Sequence, residues 1–165
     1  MKIKAKFYIT LIVALLASIV CSAEVYALSL EFLNHTDLDF GEMKMGEIKY
    51  DVPRDGLKIK CRTSAGTPGW RLKVRLDRPL TNIDDLSSII PRENIYVYGI
   101  TTSNDMNNSL LTTPTNLLRE VTLYTGAAGE EETDITIKFQ MELPPALKQG
   151  VFNTNFSDIV FTISE

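Results

Sequence analysis

The sequence predicts an all-β fold, a single antiparallel two-layer β-sandwich of the Ig-like or pilin-like kind, with about eight or nine strands. Three observations carry this. Short segments in which apolar and polar residues alternate recur along the chain, and a period of two marks a strand with one buried face. Clusters of Gly, Pro, Asn and Asp interrupt them roughly every eight to fifteen residues. No long stretch beyond the N-terminus has the three-and-four spacing of an amphipathic helix. The 165 residues, 44% hydrophobic and 23% charged, suit one globular domain.

The N-terminus stands apart. Lys2, Lys4 and Lys6 precede an apolar run from Phe7 to Val20, and small-residue patterns follow at Cys21-Ser22-Ala23 and Val25-Tyr26-Ala27. This is the layout of a signal peptide over 1–27, cleaved after Ala23 or Ala27. The alternative is an uncleaved anchor, but the run falls short of the ~20 residues a bilayer span needs. Acylation of Cys21 would want a small residue before it, where Val20 stands. The reading is therefore a secreted protein of the periplasm, cell surface or medium, with no membrane span after cleavage. Its β-sandwich domain occupies 28–165, of ordinary size for one core. Removing three lysines takes the net charge from −4 to −7, or to −6 if Glu24 leaves as well. So acidic a domain lacks the basic footprint of a nucleic-acid binder.

Within the domain, Leu28-Ser29-Leu30-Glu31-Phe32 alternates, Asn34 to Asp37 turns, and Leu38-Asp39-Phe40 alternates briefly. Ile48 to Val52 is the next strand, stopped by Pro53-Arg54-Asp55-Gly56. Gly56 to Arg62 and Trp70 to Leu76 alternate on either side of a Gly/Pro loop and read as an antiparallel hairpin. Leu57, Ile59 and Cys61 share its buried face with Trp70, Leu72, Val74 and Leu76. Leu80, Ile83, Leu86, Ile89 and Ile90 permit a helical turn over 84–88 or an irregular crossover. Asn94 to Ile100 is β-branched and aromatic, hence a strand, and Thr101 to Thr115 reads as an exposed loop. Glu120 to Thr125 is a strand, and Gly126 to Gly129 a turn. Ile135, Ile137, Phe139, Met141 and Leu143 give the longest alternation, before Pro144-Pro145. Ile159, Phe161 and Ile163 align on the last strand.

The ordered set Leu38-Asp39-Phe40-Gly41, Lys60-Cys61, Gly69 to Val74, Gly150-Val151-Phe152 and Asp158 to Ile163 resembles secreted bacterial surface β-sandwich proteins. It resembles in particular the pilin-like spore coat protein U group, with WxL domains a looser comparison. The resemblance implies a non-enzymatic subunit of a fibre or surface layer, in many members assembled by donation of an N-terminal strand. This chain differs in that Cys61 has no disulfide partner once the signal is removed. It also ends Ile163-Ser164-Glu165, without a penultimate aromatic.

Leu28, Leu30 and Phe32 are the candidate strand-donor residues, able to add to a sheet edge in a neighbour or to form an ordinary first strand. Cys61, Trp70, Leu72 and Val74 are the expected core anchors. A surface Trp70 would instead stack on a sugar ring. The single histidine, His35, offers just one base for nucleophilic catalysis, so no catalytic residue is expected. Zinc spacing and phosphate-loop motifs are missing, and no cofactor is expected. Asp84-Asp85 and Glu130 to Glu132 with Asp134 lack calcium-loop spacing and read as solvated loop charges. The function expected is an exported structural or adhesive surface component that pairs with like subunits or other surface proteins through β-strands. A second reading is a monomeric module for carbohydrate or an envelope partner. A hydrolase ranks third.

Overall fold

A computed structural model describes residues 27–34, 40–103, 109–129, 131–147, 150–153 and 159–165. Residues 1–26 of the signal segment, His35, Leu38-Asp39, Glu130 and Asp158 lie outside them. The described chain is an antiparallel β-sandwich. Its strands are β1 Leu28–Phe32, β2 Ile48–Thr63, β3 Trp70–Leu76, β4 Leu80–Asn82, β5 Ile89–Ile90 and β6 Ile95–Thr102. Then come β7 Thr115–Asn116, β8 Val121–Gly126, β9 Glu131–Glu142, β10 Phe152–Asn153 and β11 Ile159–Ser164. The first layer runs β1-β2-β9-β6-β7, the second β11-β3-β8, and a small sheet β10-β4-β5 adjoins them. Four of the eleven strands have only two or three residues, which is why alternation alone undercounts them.

The two main layers close over one core. Leu57, Ile59 and Cys61 of β2, Ile95 and Val97 of β6, and Ile135, Ile137 and Phe139 of β9 face Trp70, Leu72, Val74 and Leu76 of β3. Period-two alternation turns every second side chain inward, and the others make the outer faces.

The predicted hairpin does not form. β2 pairs with β1 and β9, whereas β3 pairs with β11 and β8, so residues 64–69 cross between layers. Ser64 C=O accepts from Thr67 N–H at 3.1 Å, and Thr67 C=O accepts from Gly129 N–H at 2.8 Å, tying this arch to the one before β9. Two strands facing each other across a core carry the same alternation as two strands side by side. The pattern fixes the buried face and leaves the neighbour open.

Pro53 to Gly56 does not end a strand either. β2 continues through it, and its ladder with β9 steps from Val52↔Phe139 to Leu57↔Ile137, so the extra residues bulge out. The irregularity sets Asp51 at φ 56 and Gly56 at φ 76. A Cβ on Gly56 would fall 2.4 Å from Thr136 Cγ2, a close approach that only glycine allows. Bulges re-aim side chains. Here Asp51 Oδ1 receives the Tyr98 hydroxyl at 2.6 Å, which holds the Asp51 carboxyl below its ordinary range, with Lys138 adding to the effect.

Residues 84–88 form no helix. They join β4 to β5, which pair through Leu80↔Ile90 and Thr81↔Ile89. Asn82 Oδ1 accepts from Asp84 N–H and Asp85 Oδ1 from Ser87 N–H, the local Asx bonding that turns a chain. Among the described residues the one helical element is the 3-10 turn Arg92–Asn94.

Candidate functional site

A sandwich of open sheets has four edges, and unpaired edge N–H and C=O groups are where another chain adds. The edges here are β1 and β7 in one layer and β11 and β8 in the other.

One side is closed. β7 is two residues long and follows Pro114, two devices that blunt an edge. The stretch beside it, expected to be an exposed loop, instead bridges the layers. Leu111 C=O accepts from Gly99 N–H of β6 at 2.6 Å, and Leu111 N–H donates to Leu123 C=O of β8 at 2.8 Å. Leu110 is half-buried and seats where a Cβ on Gly99 would meet its Cδ1 at 2.4 Å. Apolar Leu110 and Leu111 draw this segment onto the core. Residues 104–108 of the predicted loop lie outside the described residues.

Among the described residues the other side is open. β1 pairs with β2 from Leu28↔Thr63 to Phe32↔Ile59 and with no second strand among the described residues. Among the described residues β11 pairs with β3 alone, from Ile159↔Leu76 to Ser164↔Arg71. Phe32 meets Phe161 of β11 edge to face, with ring centroids 5.5 Å apart. Leu28, Leu30, Ile159, Phe161 and Ile163 pack on the core but are only partly buried, and Phe32 and Leu33 are 37% and 42% exposed. The candidate donor residues thus lie on the outermost strand of their own sheet. Past its end, the Asn34 amide extends the ladder, donating to Gly56 C=O and accepting from Lys58 N–H at 2.8 and 2.7 Å.

The outer face beside this edge is charged but internally matched. Arg62 reaches Glu31 Oε2 at 3.0 Å and Glu132 Oε2 at 2.9 Å, and Lys60 reaches Glu132 Oε1 at 2.6 Å and Asp134 at 3.6 Å. Hydrogen bonds from Lys60 and then Arg62 hold the Glu132 carboxyl below its ordinary range. Such exposed pairs stabilise little, but they leave β1 with no unmatched charge to repel another strand. They also correct the reading of Glu131 and Glu132 as loop charges, since both lie in β9. Glu131 is the acceptor of the Trp70 indole N–H at 3.0 Å. No local signal announces that contact, because it depends on which strands face each other.

Cys61, Trp70, Leu72 and Val74 are each 0% exposed. Burial, then the charges of Glu131 and Asp134, push the Cys61 thiol up to about 12. Thiolate is the reactive form, so the folded chain is expected to resist iodoacetamide at about pH 8 and to label at Cys61 on denaturation. Fast labelling of the folded chain would contradict its burial. The sign for stability follows. The folded thiol titrates above the unfolded one, so its contribution is complete below the ordinary value of 9.0 and is lost as pH rises towards about 12.

No protein-family model matches this chain, and no curated protein matches it either.

Proposed function

We propose that the chain is an exported structural or adhesive component of a bacterial surface, a fibre or surface-layer subunit that associates by β-strand pairing. One observation carries the reading. Among the described residues the sandwich closes one side with the 109–111 bridge and leaves the β1/β11 side open, with Phe32 and Leu33 exposed beside a strand edge that no described strand pairs. Monomeric proteins guard such edges with lysine, proline, bulges or a covering segment. β1, Leu-Ser-Leu-Glu-Phe, carries neither lysine nor proline, and its ladder with β2 runs without a register shift. The signal layout at the N-terminus supports export, and the acidic balance suits a soluble exported subunit.

The partner class is a strand-forming protein surface. Main-chain hydrogen bonds supply affinity in such pairings, and alternate side chains supply specificity. Sizing the exported full chain tests the reading. Species of more than one copy at micromolar concentration are expected, and single chains throughout would refute it.

A further inference from the structure

We infer that the partner of β1 is β1 of a second copy, in an antiparallel pair with its two-fold axis on Leu30. This rests on the open side being an association surface, and it goes further by fixing partner and register.

The hydrogen-bond phase of the edge comes first. Leu33 N–H donates to Lys58 C=O, and Ser64 N–H donates to Ala27 C=O. Antiparallel ladders alternate bonded and non-bonded residues. Residues 27, 29, 31 and 33 therefore direct their groups at β2, and Leu28, Leu30 and Phe32 turn theirs outward. An axis on Leu30 sets Leu30 against Leu30 and Leu28 against Phe32, so outward groups meet only outward groups. That makes about six new main-chain bonds. An axis between two residues would set outward groups against residues already bonded to β2.

The side chains agree with that register. On the inner face Leu30 meets Leu30, and Leu28 of one copy meets Phe32 of the other. On the outer face Ser29 meets Glu31. The two Glu31 carboxylates do not oppose each other directly, and each is held by Arg62 of its own chain at 3.0 Å. The contact is isologous, the commonest arrangement in homodimers, and joins two five-stranded layers into one continuous sheet.

Register-specific cross-linking tests this on the exported full chain, whose native Cys61 is buried. Ser29 and Glu31 would form a non-bonded pair across the axis, with Cα atoms about 4.5 Å apart, within disulfide reach. Mixing Ser29→Cys protein with Glu31→Cys protein under mild oxidation is expected to give a two-chain disulfide, at least tenfold more than either variant alone. Leu30→Cys is an independent check and is expected to cross-link to itself. Thermal unfolding of each variant shows that it is folded. Folded variants with no excess on mixing, and no Leu30→Cys self-link, overturn the inference. If native mass then shows two chains or an open ladder, another surface such as β11 is used and the association reading survives. If it shows single chains, that reading falls as well.

Discussion

Replacing Trp70 with alanine is expected to destabilise the domain by about 3–5 kcal/mol, a large share of the ~5–15 kcal/mol that holds an ordinary domain folded. Trp70 is the largest fully buried side chain. It stands at the start of β3, its ring centroid 5.3 Å from that of Tyr124, with its N–H on Glu131 at 3.0 Å. Truncation therefore opens a cavity between the layers and removes a donor from a carboxylate that Thr133 also serves, at 2.8 Å. Trp70→Phe keeps much of the volume and loses the donor, which should cost about 1–3 kcal/mol. Denaturant unfolding checks both. A Trp70→Ala midpoint close to that of the unmodified chain would mean the indole does not seat between the sheets.

Gly126→Ala is expected to destabilise the domain for the opposite reason. A Cβ there would lie 2.0 Å from both Cε2 and Nε1 of Trp70. The indole cannot swing aside, since Tyr124 and Glu131 fix it, so overpacking of about 1–3 kcal/mol or more is expected. The two effects are coupled. With Trp70 already alanine the space is empty, and Gly126→Ala should cost less than about 0.5 kcal/mol. Equal costs in the two backgrounds would place the strain elsewhere.

These two sites also mark how far the sequence can be read. Alternation places Leu57, Ile59 and Cys61 and then Trp70, Leu72, Val74 and Leu76 on buried faces, and all seven are buried. It does not say that the two strands lie in different layers, because neighbour choice is settled by the whole topology. Tyr124 shows the same limit. Strict alternation from Val121 and Leu123 would turn it outward, yet a register shift between Leu72 and Lys73 lets Leu123 and Tyr124 both face in. The residues of the open side were legible as an alternating strand. That this strand is an edge emerges only when β2 takes β9 as its other neighbour and the 109–111 segment closes the far side. Glu131 was hidden in an acidic run whose first residue of β9 happens to sit under the indole.

The most direct measurement is the native mass of the exported full chain against concentration, beside a Leu30→Pro variant. Proline at Leu30 removes an outward N–H and leaves the bonds of Ser29 and Glu31 to β2 in place, a substitution that edge strands tolerate. The prediction is a two-chain or larger species for the unmodified protein and a folded single chain for the variant. A single chain in both, at every concentration reached, would contradict association through β1 and the structural role built on it.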